Sequence, residues 1–280
     1  MNLPPFLSRL KGRLEAPTRG PATLTVTLRD FLIVTYAVPA ERARAHVPEK
    51  LALDMRPAPD GDGGEMAFIQ TTCSFNDNLH WSPLGENAGG LSYHQSTYRI
   101  LTKRGDRRGA FVLRTYLGTT EAYASQRAVA REVDYTPFDV HIAGDFTQGR
   151  YETYNVRAVG ERGQTALDVR GLAAAGTQAP PPLASFPNAD DQTFFLTQRE
   201  ETYYHAAVGG IGLMPVEHAP LRPVAAELVA ARLSLWTDLE VLSKDDLLRP
   251  VSVLIQPSVV FTTFPPRPTL LRSAPPAAAV

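Results

Sequence analysis

The strongest constraint on what this chain can fold into is the two-residue rhythm of its apolar side chains. Residues 24–28, 91–101, 150–160 and 165–171 alternate apolar with polar positions, and residues 31–36 (Phe-Leu-Ile-Val-Thr-Tyr) read as a fully buried strand. Residues 66–75, 110–117, 194–207, 211–217, 251–255 and 259–264 follow the same grammar between clusters of Gly, Pro and Asp. Against about ten such segments stand about three short helical stretches, at residues 38–48, 122–132 and 227–236. Helices that few cannot alternate with the strands, which argues against a parallel α/β fold. The expected class is mainly β (α+β), an antiparallel β-barrel or closed sheet with a few short helices.

A barrel of this kind runs to well over 200 residues as one unit, so the 280 residues are read as a single domain over 23–266. Residues 1–22 form a leader in which Phe6, Leu7, Leu10 and Leu14 share one face of a short helix. Residues 267–280, rich in Pro and Ala, are expected to be a disordered tail.

Charge narrows the choice of partners. The formal net charge is −1, and the densest basic run, Lys103-Arg104-Gly105-Asp106-Arg107-Arg108, falls between two strand segments. It reads as the tip of a hairpin in solvent, so no nucleic-acid partner is expected. No run approaches the ~20 apolar residues of a membrane span. The N-terminus has no signal-peptide core, and Cys73, the only cysteine, excludes an intrachain disulfide. A bacterial, cytoplasmic protein is the simplest reading.

The familiar catalytic signatures are missing: there is no P-loop, Gly-x-Ser-x-Gly elbow or His-Glu-x-x-His helix. None of the six histidines stands at ligand spacing from another, so no metal is expected. The glycine-rich Val208-Gly209-Gly210-Ile211-Gly212 reads as a turn between strands and not a dinucleotide fingerprint, so no organic cofactor is expected either. Cys73 lies in an apolar strand and reads as a buried, inert thiol. Asp139 and His141 share one face of a strand and make a candidate acid/base pair, against the commoner reading of a surface pair. Tyr93-His94-Gln95 opens a strand after a glycine-rich loop and must place polar side chains on both faces, some of them inside.

Several segments resemble the acetoacetate decarboxylase superfamily. Arg29-Asp30-Phe31 with Ile33 to Tyr36, Val38-Pro39 and Val47-Pro48-Glu49-Lys50-Leu51 is similar to the opening of those enzymes. Ser92-Tyr93-His94-Gln95-Ser96 resembles their tyrosine-x-glutamate strand. Residues 130–139, Ala-Arg-Glu-Val-Asp-Tyr-Thr-Pro-Phe-Asp, resemble the segment carrying Gly-Arg-Glu, a proline and two lysines. The C-terminal half, with Phe195-Leu196-Thr197-Gln198-Arg199 and Val216-Glu217-His218-Ala219-Pro220, looks closer to the uncharacterised YqjF-like branch, a domain of unknown function. The resemblance spans roughly residues 24–266 and implies a mainly antiparallel barrel with a deep small-molecule pocket, in a homo-oligomer.

The same resemblance carries a negative expectation. Those decarboxylases form an imine between a lysine and a substrate ketone. Here Phe138 falls where the nucleophilic lysine stands, Asp139 on its partner lysine, Gln95 on the acidic residue, and Ile69 or Gln70 on a second carboxylate; Arg29 alone is kept. The chain has four lysines, at 11, 50, 103 and 244, all in polar or turn contexts. Decarboxylation by the family's route is therefore not expected.

Three readings follow. The first is a small-molecule-binding barrel whose ligand contacts include Arg29, Tyr36, Tyr93, Gln95, Arg114 and Phe138, with Phe68 also inside. The second is a lysine-independent enzyme acting on a small keto or carboxylic acid, with His94, Asp139 or His141 as acid or base. The third is an oligomeric scaffold whose vestigial pocket is filled by aromatic side chains.

Overall fold

The computed structural model describes residues 23–58, 64–81, 90–135, 141–148, 150–160, 163–171, 182–264 and 267–268. The leader at 1–22, Phe138, Asp139 and most of the C-terminal tail lie outside them. Arg267–Pro268 forms a short strand beside residues 212–213.

The chain is mostly β. In order it runs β1 (Leu24–Pro39), α1 (Ala40–Arg44), β2 (Ala52–Leu53), β3 (Arg56–Pro57), β4 (Glu65–Trp81), β5 (Leu91–Arg104) and β6 (Arg107–Leu117). Then come α2 (Thr120–Arg127), β7 (Val133–Tyr135), β8 (His141–Thr147), β9 (Arg150–Gly160) and β10 (Gly163–Gly171). The last part holds α3 (Ala189–Thr197), β11 (Glu201–His205), β12 (Ile211–His218), β13 (Val224–Leu233), α4 (Ser234–Asp238), β14 (Ser252–Thr263) and β15 (Arg267–Pro268).

These strands form one large mixed sheet. One branch follows β11–β6–β5–β4–β1–β14, with β12 on the far side of β11. It returns on itself, because β12 also pairs with β14 at Val216↔Thr263, Glu217↔Thr262 and His218↔Phe261. The second branch, β13–β10–β9–β8, leaves β14 at Val224↔Ile255 and Ala225↔Leu254.

The antiparallel pairing expected of the sheet holds only in part: β11 and β7 each run parallel to β6. The chain crosses through α3 before β11, which lets it enter β6's edge in the same direction. Gly109 permits the approach, since a Cβ there would meet the Glu201 carbonyl oxygen at 2.7 Å. The basic turn at Gly105-Asp106 is also more than a solvated tip. Arg104 and Arg107 reach back to the buried Glu201 carboxylate at 3.0 and 3.2 Å, clamping β11 to the hairpin.

Three segments differ from their expected elements. Residues 194–197, expected in a strand, complete α3, because Asn188 caps that helix by accepting from the Asp191 amide at 2.8 Å. Residues 227–233, expected to be helical, belong to β13, where a ladder to β10 overrides the helix preference of their alanines. The helix expected at 122–132 occupies Thr120–Arg127, with Thr119 as its cap, and the chain then turns into β7.

The largest core lies between the two branches. Trp236 is fully buried there, its Nε1 donating to Thr71 Oγ1 at 2.9 Å and its ring edge-on to Tyr98 at 5.3 Å. Asp30 ties the same layers together from a bulge in β1, at φ 50°. Its carboxylate accepts from Tyr151 and its carbonyl from Tyr154, both at 2.6 Å. That bulge also switches the parity of β1. Leu24, Val26 and Leu28 face the inside of the closed circuit before it, and Phe31 does so after it, while Leu32, Val34 and Tyr36 turn to the inter-branch core. Removing Trp236 would open a large void with an orphaned Thr71 hydroxyl. Trp236→Ala is predicted to lower unfolding stability by about 3–5 kcal/mol in a urea titration.

Candidate functional site

Alternation along β5 builds the site. Tyr93, Gln95, Thr97 and Arg99 project to one face, and with Ser74 and Asn76 of β4 and Val26 and Leu28 of β1 they line a cavity of about 290 Å³ inside the strand circuit. The far wall is β12 and β14, contributing Met214, Val216, His218 and Phe261. Gln126 of α2, Val133 of β7, Thr197 at the end of α3 and Arg199 just beyond it complete the lining.

The wall is mostly apolar, with two distinct polar regions. The first is a neutral ladder whose members satisfy one another. Gln95 Oε1 accepts from Asn76 Nδ2 at 2.9 Å, Gln95 Nε2 donates to Thr97 Oγ1 at 3.0 Å, and Gln126 Nε2 donates to the Tyr93 hydroxyl at 3.2 Å. Such a network is held rigid by its own bonds.

The second region is cationic. Arg99 Nε donates to Gln70 Oε1 at 2.9 Å, and Gln70 is itself fixed by donating to the Leu196 carbonyl at 2.8 Å and Thr35 Oγ1 at 3.1 Å. Among the described residues no carboxylate pairs with Arg99. Burial, with the Arg199 charge nearby, pulls its pKa down to about 9, so the guanidinium is still cationic at neutral pH. Arg199 donates to Asp54 Oδ2 at 2.6 Å, a carboxylate that Arg108 also approaches at 3.7 Å, and burial lowers the Arg199 pKa to about 10.

His218 stands in the same cavity. Its Nδ1 is 2.8 Å from the Ala219 carbonyl, its ring stacks on Phe261 at 4.3 Å, and the residue is 8% exposed. Burial lowers its pKa to about 4, with the Arg99 charge acting in the same direction. Glu132 also lines the cavity and pairs with Arg114 at 3.3 Å.

The residues singled out in the sequence are only partly brought together. Tyr93 and Gln95 are both in the cavity wall. His94 points to the opposite face of β5, its ring 4.9 Å from Phe75. Arg29 lies outside the cavity, 58% exposed and paired with Asp77 at 2.6 Å. Tyr36 is in the inter-branch core, donating to the Leu247 carbonyl at 2.6 Å. Arg114 sits behind the wall between Glu132 and Asp134, and Phe68 packs on Phe195. His141 falls within β8, on the second branch, while Phe138 and Asp139 lie outside the described residues.

Arg99 and His218 are not among the residues that the sequence singles out. For Arg99 a signal exists: it lies two alternation steps beyond Gln95, between Tyr98 and Ile100, both fully buried. For His218 there is none, because only strand closure carries it to the cavity. Among the described residues no group of three His, Cys, Asp or Glu is placed to hold a metal ion, and no helix is long and apolar enough to cross a membrane.

The family model of an uncharacterized conserved protein (COG2071), DUF2071, matches residues 25–259. The chain belongs to the DUF2071 family. This DUF2071 chain is also similar in fold to solved structures. One is acetoacetate decarboxylase from Legionella pneumophila subsp. pneumophila strain Philadelphia 1, at 9% identity and TM-score 0.54, covering 95% of this chain and 96% of that one. A second is an acetoacetate decarboxylase-like enzyme from Sphingomonas wittichii RW1, at 12% identity and TM-score 0.53, covering 88% and 92%. A third is the enduracididine biosynthesis enzyme MppR complexed with pyruvate, at 13% identity and TM-score 0.51, covering 90% and 92%. Identities this low establish a shared fold alone. A comparison with curated proteins gave no match.

The depressed pKa of His218 has a consequence for stability. Between its ordinary value of 6.5 and about 4, the unfolded chain takes up a proton that the folded imidazole refuses. Stability is therefore lost as pH falls through that window, by up to about 3 kcal/mol. Urea titrations from pH 7 to pH 4 should show a steeper loss for the wild type than for His218→Phe.

Proposed function

We propose that this protein binds a small carboxylate with an apolar body inside the strand circuit, which we read as a barrel of the acetoacetate decarboxylase type working without a Schiff-base lysine. The observation that carries the reading is Arg99, a cation at the wall of a half-open cavity whose side-chain partner among the described residues is a neutral amide. A glutamate at Gln70 would orient the guanidinium and cancel its charge; the glutamine orients it and leaves the charge for a ligand. A carboxylate would restore the favourable pairing that burial otherwise denies the cation. The apolar wall of Val26, Leu28, Val133, Val216 and Phe261 suits a hydrocarbon or aromatic body. A volume of about 290 Å³ stands at the lower end of the small-molecule range.

Pyruvate, present in the MppR complex, is itself a small carboxylate, which supports the ligand class. The open volume favours a binding cavity over a scaffold with a filled pocket. The absence of imine chemistry is supported by the exposed positions of Lys50, Lys103 and Lys244, none of which lines the cavity.

Calorimetric titration with butanoate, hexanoate and phenylacetate tests the reading. Arg99→Met and Gln70→Glu should each weaken binding by about 10–100-fold, the loss of one charge-assisted pair. Equal affinity in Arg99→Met, or no binding to the wild type, would sink it. For the missing imine, borohydride reduction in the presence of pyruvate or acetoacetate should leave the protein mass unchanged. A trapped adduct on any lysine would restore a Schiff-base enzyme.

A further inference from the structure

Two polar groups in the cavity wall, Arg99 and His218, are chemically opposite. Arg99 presents only donors. His218 is anchored through Nδ1, and because a carbonyl oxygen can only accept, Nδ1 carries the proton that bonds Ala219. In the neutral ring Nε2 is then a bare lone pair, on a side chain that lines the cavity, and no hydrogen bond to the described residues engages it. No carboxylate among the described residues pairs with the imidazole, and the nearby Arg99 charge opposes a second proton. The ring cannot swing away, since Phe261 stacks on its face at 4.3 Å and 17°.

We propose that His218 Nε2 accepts a hydrogen bond from a hydroxyl of the ligand, so that the site selects a hydroxy-carboxylate over the matching unsubstituted, oxo or amino acid. This rests on the carboxylate reading of Arg99 and deepens it. An unsubstituted acid would cover the lone pair without giving it a partner, and an oxo group sets a second acceptor against it. An ammonium group would donate, but it would bring a cation beside Arg99 and Arg199 with no free carboxylate among the described residues to balance it. A hydroxyl alone donates without adding charge. A site built around one such bond discriminates strongly against analogues that lack the donor.

The test uses 4-methylpentanoate and its 2-hydroxy, 3-hydroxy, 2-oxo and 2-amino derivatives, titrated calorimetrically into the full-length wild type, Arg99→Met and His218→Phe. Phenylalanine keeps the stacking on Phe261 and removes the lone pair. One of the two hydroxy acids should bind the wild type about 10-fold more tightly than the unsubstituted acid, about 1.4 kcal/mol. His218→Phe should erase that preference and leave the unsubstituted acid within about 3-fold. Arg99→Met should weaken every member. In the wild type, nitrogen NMR of the His218 ring should show Nε2 unprotonated, with its resonance moving on addition of the hydroxy acid and staying in place with the unsubstituted one; this readout needs no variant to fold.

Each failure points to one cause. If all members bind alike and Arg99→Met weakens them together, the carboxylate site stands and the role of His218 falls. That role falls equally if the oxo or amino acid binds best, or if the hydroxyl preference survives in His218→Phe. If no member binds the wild type, the carboxylate site and the role of His218 both fall.

Discussion

Three residue pairs between β12 and β14 decide what kind of molecule this is. Without them the strands from β11 to β14 would form an open, curved sheet, and Tyr93, Gln95, Arg99 and His218 would line a groove filled with water. With them the same side chains face one another across a partly enclosed space. Enclosure has two physical effects: it removes apolar wall from water, and it lowers the local dielectric so that each polar group counts for more. Closure depends in turn on β1, which pairs with β4 on one side and β14 on the other, and on the Glu201 clamp that seats β11 beside β6.

Within that space the protein treats its arginines in two ways. Arg199 is matched to Asp54, and Arg114 to Glu132 and Asp134. These carboxylates offset the two charges in part: Asp54 is shared with Arg108 at 3.7 Å, and the Nε of each arginine is buried without a hydrogen-bond partner among the described residues. Arg99 is held by Gln70, whose amide is locked by two donations of its own. Holding a half-buried cation through an amide is costly to the isolated protein, and a bound anion would relieve that cost. His218 follows a parallel logic, being kept neutral by burial and aimed by a backbone carbonyl.

Strand alternation in the sequence singles out Tyr93 and Gln95, which both line the cavity, and the same alternation carried two steps further reaches Arg99. Tyr36 leaves the cavity for a local reason. Continuing the parity of Leu24, Val26 and Leu28 puts it inside, but the bulge at Asp30 inserts one residue and turns it outward. Arg29 lies just before that bulge on the outer face. The alanines of residues 227–233 favour a helix locally, and the ladder to β10 makes them a strand.

By itself the sequence determined the mainly β character, because strand periodicity is a property of neighbouring residues and needs no partner. It also determined the scarcity of lysine and cysteine, and therefore which covalent chemistries are open to the chain. Only the tertiary structure decided which arginine is left with its charge uncancelled and which histidine meets it. Those facts depend on contacts between residues far apart in the chain, Gln70 with Arg99 and His218 with Phe261, that no local pattern encodes. They exist because parity shifts, a parallel crossover and one closing ladder bring separate strands to a common interior.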